Sequence, residues 1–166
     1  MPPRRSLAVN HDGDGERPKL ADVACGTPER VYIASPISTY QTPRYDRMLT
    51  EIAQHYPRAE ILQARHLFQS TADWRRRWPQ LLPTLTGLVF FSDVDSTIGL
   101  GVWSEIQDAA DRIPVWFLDD DGRWHSLDHV AVHVTGQNLS RFATVQTPGS
   151  FGTVPVARDA LPKGGA

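Results

Sequence analysis

The chain of 166 residues is short of three things: cysteine, long apolar runs and net charge. The single Cys25 excludes a framework of intramolecular disulfides, so we expect a reducing, cytoplasmic setting. No apolar run approaches the roughly 18 residues that span a bilayer, so no membrane association is expected. Lys and Arg number 17 and Asp and Glu number 19, and the resulting formal charge of −2 predicts no general attraction to nucleic acid.

Composition divides the chain into a central part and two ends. Residues 1–28 are rich in proline, glycine, arginine and aspartate and carry few apolar side chains, and residues 148–166 are similar. Such segments cannot bury enough apolar surface to offset the entropy of ordering, so both are predicted to be flexible tails. The first has no apolar segment of the kind found in signal peptides. We therefore expect one folded domain over 29–147.

Short apolar runs alternate with helical patterns through the central part. Strands are predicted where these runs occur: RVYIAS at 30–35, AEILQA at 59–64, TGLVFFSD at 86–93 and IPVWFLDD at 113–120. HVAVHV at 129–134 alternates like a last strand at the edge of the sheet. The repeated order of strand and helix predicts an α/β domain built on an open parallel sheet with helices on both faces.

Helix signals fill the intervals between these strands. Thr42 is a typical N-cap, and Pro43 stands at the first helical position after it. A second helix is predicted to begin within 71–73, and the prolines at 79 and 83 are expected to kink or break it.

Two loops rich in small and hydroxylic residues should lie at the carboxyl edge of the sheet, where parallel α/β domains bind ligands. One is YIASPISTY at 32–40, and the other is SDVDSTIGLG at 92–101, which leads into a helix predicted over 102–111. Both place backbone N–H groups near a helix start and so favour an anion, although glycine and serine also form ordinary turns. Glu105 falls in the first turn of that helix, where a solvated carboxylate also benefits from the helix dipole. The histidines lack a metal-ligand context, so no metal site is predicted.

Two motifs in this order resemble the nucleoside 2-deoxyribosyltransferase superfamily, which includes the nucleoside 5′-monophosphate N-glycosidases. They are VYIASPI at 31–37 and GLVFFSDVDSTIGLGVWSEIQDAADRIPV at 87–115. Within the second, LGVWSE at 100–105 fits the family form Leu-Gly-Val-x-x-Glu, and IPV at 113–115 fits the start of the following strand. The likeness covers roughly residues 30–120, and it implies a flavodoxin-like (Rossmann-like) domain that needs no cofactor.

The resemblance implies that Glu105 is the catalytic nucleophile and that Tyr32 is the conserved catalytic tyrosine. Cleavage of an N-glycosidic bond passes through an oxocarbenium-like sugar, which a carboxylate beside the anomeric carbon can stabilise or bond. A neighbouring phenol can hydrogen-bond that carboxylate and hold its orientation. For Tyr32, the alternative is an aromatic side chain that only lines the core.

Departures from the family pattern bear on the substrate. Gly99 stands where the transferases carry an Asp for the sugar 5′-hydroxyl and the nucleotide hydrolases carry a Ser. Because a carboxylate there would repel a phosphate, Gly99 leaves room for one. The family's mid-chain Asp has no clean match, since the register falls near Pro79 and Asp73 is the nearest carboxylate. The substrate-binding residues implied by the resemblance are Ser35, Ile37, Ser38, Asp73, Gly99 and Gly101.

The resemblance thus predicts an enzyme that hydrolyses a nucleoside 5′-monophosphate, such as CMP or a modified CMP, to free base and pentose 5-phosphate. It also implies a homo-oligomer whose neighbouring subunit closes the site, and residues 124–138 are a candidate for that contact through Ser126 or Asn138. Deoxyribosyl transfer, NAD glycohydrolysis and non-catalytic nucleotide binding remain open alternatives. Three aromatic side chains near the second helix would either stack on a nucleobase or pack helix against sheet: Phe68, Trp74 and Trp78.

Overall fold

The structure of the chain, a computed structural model, describes residues 29–135 and 142–147. The tails predicted over 1–28 and 148–166, and the candidate contact residue Asn138, lie outside the described residues. Among the described helices, none is both long enough and apolar enough to cross a membrane.

Five strands form the main sheet: β1 (Arg30–Ala34), β2 (Glu60–Gln63), β3 (Gly87–Phe90), β5 (Val115–Leu118) and β6 (Trp124–Ser126). Their spatial order is β2-β1-β3-β5-β6. The first four pair in parallel, and β6 pairs antiparallel with β5. The domain is therefore a Rossmann-like α/β fold on a mostly parallel sheet, with flavodoxin-like strand order up to an antiparallel edge strand.

Helices cover both faces of this sheet, as predicted: α1 (Pro43–His55) on one face, and α3 (Thr71–Leu81) with α4 (Leu100–Ala109) on the other. A short α2 (Ala64–Leu67) follows β2 directly. Side chains of β1 alternate between two cores, because Val31 packs with α1 while Tyr32 packs with α3 and α4. The face under α3 and α4 is the one that carries the candidate site.

The helix starts follow their capping residues. Thr42 caps α1, and its hydroxyl accepts the Tyr45 backbone N–H at 3.2 Å. Ser70 caps α3, which begins within the predicted range and continues past Pro79. Pro79 lies near the end of α3, so its missing N–H removes only a late helical hydrogen bond. The expected break comes after Leu81, where a 3₁₀ turn spans Leu82–Thr84.

A second, antiparallel sheet contains β4 (Thr97–Gly99), β7 (Ala131–Thr135) and β8 (Phe142–Gln146) in the order β4-β8-β7. The strand predicted at 129–134 forms as β7 and lies at the edge of a sheet, but of this second sheet and not of the main one. That place in the main sheet is taken by β6, which folds back on β5 as a hairpin. The small sheet adds Ile98, Val132 and Val145 to the core beneath α4.

Candidate active site

The helix that carries Glu105 begins earlier than its sequence pattern predicts. Gly99 is the N-cap, with an extended backbone at φ −71° and ψ 159°, so α4 starts at Leu100. No acidic residue lies in its first turn, and the expectation that Glu105 lies there is wrong. The earlier start places Glu105 in the second turn of α4, and its side chain is buried. A favourable position near the helix dipole therefore does not account for this carboxylate.

Glu105 is buried, with 5% of its surface exposed, and it is bound from two other elements. The Tyr32 hydroxyl on β1 donates a hydrogen bond to Glu105 Oε1 at 2.6 Å. The Trp74 indole Nε1–H on α3 donates to the same oxygen, also at 2.6 Å. The structure thus brings together the two residues that the resemblance selected, 73 positions apart, and adds Trp74 to them.

Burial dominates the ionisation of this group. Desolvation disfavours the charged carboxylate and raises the pKa of Glu105 to about 7, while the bonds from Tyr32 and Trp74 lower it and the charge of Asp108 raises it. Burial and the Glu105 charge raise the pKa of Tyr32 far above its ordinary value, so its phenol remains a donor. Near neutral pH the site holds a carboxyl group poised between its two protonation states, beside two permanent donors.

The contact between α3 and α4 forms a ladder of two indole–carboxylate hydrogen bonds. Trp78 lies one turn beyond Trp74 on α3, and its Nε1–H donates to Asp108 Oδ2 at 3.0 Å. The Trp78 ring also packs against the Tyr32 ring, with centroids 5.1 Å apart. Trp78 is 3% exposed, so helix–sheet packing and not nucleobase stacking describes its position. Trp74 is half-buried.

The loop after β1 carries one buried hydroxyl group without a partner. Ser35 is 3% exposed, and its Oγ has no hydrogen-bond partner among the described residues. Ser38 is exposed and donates to Asp93 Oδ2 at 2.5 Å. Ile37 projects into solvent with 80% of its surface exposed. These three residues therefore lie at the predicted edge in three different environments.

The loop after β3 contains a carboxylate that the sequence interpretation did not select. Asp93 accepts hydrogen bonds from Ser38 and from the Val94 backbone N–H at 2.7 Å, and these bonds hold its pKa below the usual range. Beyond this loop, Gly99 at the N-cap of α4 and Gly101 in its first turn have open space where a Cβ would stand. The carboxyl edge thus presents both the backbone amides at the start of α4 and a negative charge.

Arg44 and Asp73 each form ion pairs and hydrogen bonds with other residues of the chain. Arg44 Nε pairs with Asp120 Oδ1 at 2.7 Å, and its guanidinium also donates to the Ser92 carbonyl. The Asp73 carboxylate accepts the Gln69 backbone N–H at 3.2 Å and pairs with the arginines at positions 76 and 77. The Gln69 bond, followed by the arginines, lowers the pKa of Asp73. Asp73 thus secures the start of α3, from which the next residue, Trp74, reaches Glu105.

The candidate contact residue Ser126 lies away from this edge. It pairs with Trp116, whereas Trp124 pairs with Leu118 at the carboxyl end of β5. The chain therefore runs from the site's end of the sheet toward the opposite end as it passes from Trp124 to Ser126. Across the described residues, no group of three or more histidine, cysteine, aspartate and glutamate side chains is placed to hold a metal ion.

Comparisons of the chain with protein-family models, with curated proteins and with solved structures found no match.

Proposed function

We propose that this protein hydrolyses the N-glycosidic bond of a nucleoside 5′-monophosphate to free base and pentose 5-phosphate. The observation that carries the proposal is the Glu105 carboxyl group, buried beside a Rossmann-like sheet and bound by Tyr32 and Trp74. Buried carboxylates are usually paired with a cation, whereas this one is held by neutral donors and has a pKa of about 7. Perturbed carboxyl groups of this kind are concentrated at functional sites.

The proposed reaction has two steps. Ionised Glu105 attacks the anomeric carbon, a C–O bond forms, and the C–N bond breaks with its electron pair leaving on the base. Water then attacks the same carbon and releases the carboxylate. That water supplies the hydroxyl group of the free sugar, and its proton balances the one that the departing base acquires. Donors on the carboxylate favour its release in the second step, because they stabilise the charged form.

The backbone around Gly99 supports the phosphate part of the proposal. The N–H groups at the start of α4 are free of intrahelical partners by position, and such groups bind anions. No side chain blocks the approach at Gly99 or Gly101, and a Cβ at either would meet nothing within 4 Å. The buried Ser35 hydroxyl, which has no partner among the described residues, is an additional donor for a phosphate oxygen.

The presence of Asp93 favours a second candidate function. In it, the substrate is a neutral nucleoside, and its deoxyribose is transferred to another base. A carboxylate in the loop that leads to Gly99 accepts a hydrogen bond from a sugar hydroxyl but repels a phosphate. Its charged form is the stabilised one, because Ser38 and the Val94 backbone N–H both donate to it. The two candidates share the Glu105 step and differ in the group bound at the 5′ position.

A panel of ribo- and deoxyribonucleotides and their matching nucleosides tests both candidates, with released base measured by chromatography. The hydrolase proposal expects base release from 5′-monophosphates and none from a Glu105→Gln variant. Faster release from nucleosides, with a new nucleoside formed when a second base is added, would favour transfer. Calorimetric binding of a nucleotide without base release over hours would instead indicate a non-catalytic binding module.

The proposed hydrolase works as a homo-oligomer, as the resemblance implies. Because Ser126 lies toward the opposite end of β5 within its own chain, only a neighbouring copy would bring such a residue to the site. Light scattering coupled to size exclusion tests this part separately. A monomeric mass for an active protein would contradict it.

A further inference from the structure

The two donors to Glu105 converge on one oxygen atom. Tyr32 and Trp74 both donate to Oε1, at 2.6 Å each. Oε2 accepts no hydrogen bond from any described residue, and it is not among the fully buried polar atoms that lack a partner. Oε2 is therefore not fully enclosed. Two donors hold one carboxylate oxygen, and none of the described residues donates to the other.

We infer that Trp74 is a positioning residue for the nucleophile and that, with Tyr32, it leaves Glu105 Oε2 as the oxygen that meets the anomeric carbon. The inference rests on the proposed function for its chemical meaning. Its structural basis is the pair of bonds to Oε1 from two separate elements, β1 and α3.

Two donors restrict the carboxylate more than one does. Rotation about the terminal bond of a Glu side chain is soft, so a single hydrogen bond leaves the carboxylate a wide range of orientations. Bonds to Oε1 from two separate elements, β1 and α3, narrow that range, because rotation in either direction would weaken at least one of them. An indole N–H is a donor only and does not titrate, so this bond persists when Oε2 becomes part of a glycosyl ester and Oε1 its carbonyl oxygen.

The competing explanation is that Trp74 only packs α3 against α4. The second indole–carboxylate bond supplies a matched control for packing alone. Trp78 makes the same kind of bond from the same helix, but to Asp108, one turn away from Glu105 on α4. The titratable groups around Glu105 are Tyr32 from β1, Asp108 on α4, and Tyr40 in the loop after β1, whose pKa the Glu105 charge helps to raise. A phenylalanine at 74 or 78 leaves these titratable side chains in place, and at 78 it removes the donor to Asp108 and not a donor to Glu105.

The test is an NMR titration of the Glu105 side-chain carboxyl carbon in protein labelled with ¹³C-glutamate, with the resonance assigned by Glu105→Gln. Because the lost donor stabilises the charged form, Trp74→Phe should raise the pKa of Glu105 by about one unit or more, from the worth of a charge-assisted hydrogen bond. Trp78→Phe should change it by less than half as much. Equal changes in the two variants, or no change in Trp74→Phe, would overturn the inference.

A second replacement at position 74 keeps the test decisive if the Trp74→Phe variant does not fold. Benzothienylalanine incorporated at position 74 keeps the bicyclic ring and replaces the N–H with sulfur, so it should raise the same pKa with unchanged far-ultraviolet circular dichroism. An unchanged pKa in this protein would also overturn the inference. The titration needs no substrate, so it fails or succeeds independently of base release. Where base release is observed, Trp74→Phe should lower kcat on the order of tenfold to a hundredfold with a smaller effect on KM.

Discussion

A buried carboxyl group with a raised pKa costs folding stability whenever it is ionised, and Glu105→Gln should relieve that cost. The glutamine is neutral and nearly isosteric. Its carbonyl oxygen can accept the bonds that Tyr32 and Trp74 now give to Oε1, and its amide can occupy the outward position. We therefore expect the variant to fold with the same contacts and to differ from the natural chain mainly in having no titratable group at this position.

The direction and the size of the expected change in the free energy of unfolding with pH follow from proton linkage. The folded-state pKa of Glu105 is about 7 against an ordinary value of 4.5, so the folded protein holds this proton more tightly than the unfolded chain. The stability that the protonated group contributes is fully present below about pH 4.5 and is lost as the pH rises through about 7. At about 1.4 kcal/mol per pKa unit, the loss approaches about 3 kcal/mol. Glu105→Gln should match the natural chain near pH 4 and exceed it by that amount near pH 8.

Urea unfolding of both proteins between pH 4 and pH 8 measures this difference, with the slope of the transition checked for constancy. Glu51→Gln on α1 makes the same chemical change outside the site and serves as the control. Effects of titrating groups that do not interact with Glu105 cancel in the comparison of the two proteins at each pH. A stability difference that does not grow with pH, or a variant less stable than the natural chain at pH 8, would refute the assignment of a raised pKa to Glu105.

Three further predictions concern activity. Tyr32→Phe removes one donor from the Glu105 carboxylate and should move the acid limb of the pH profile of kcat/KM upward from about 7 by about one unit or more; an unmoved limb would contradict the role of the phenol. Gly99→Asp should lower nucleotide turnover steeply and spare nucleosides, because like charges about 4 Å apart cost roughly 4 kcal/mol at an effective dielectric near 20. Gly99→Ala is a clean control, since φ is −71° and no atom lies within 4 Å of an added Cβ, and equal losses in both variants would disprove phosphate binding there. Asp93→Asn should raise kcat/KM for monophosphates relative to nucleosides if Asp93 faces the 5′ group, and an unchanged ratio measured by chromatography would place it outside the site.

Local signals in the sequence were enough to predict most of the main sheet and its helices. The cap at Thr42 and the start of the second helix within 71–73 are encoded in short windows of sequence, where a side chain satisfies a backbone N–H a few residues away. The alternation of Val31 and Tyr32 between two cores follows from the two-residue period of a strand. Motif likeness added the pair of Tyr32 and Glu105, which no local window connects.

Tertiary packing decided what the sequence pattern left open. Glu105 lies beyond the first turn of α4 because the helix begins at Leu100, and hydrophobic periodicity does not mark such a start. Ser38 bonds to Asp93 across 55 positions of sequence, and this bond exists only because β1 and β3 are neighbours. Trp74 and Trp78 share a helix face by their spacing, but the partners of their indole groups depend on how α3 packs against α4. Contacts of this kind join elements far apart in the chain, so their geometry is set by the packing of the whole domain and not by any segment of it.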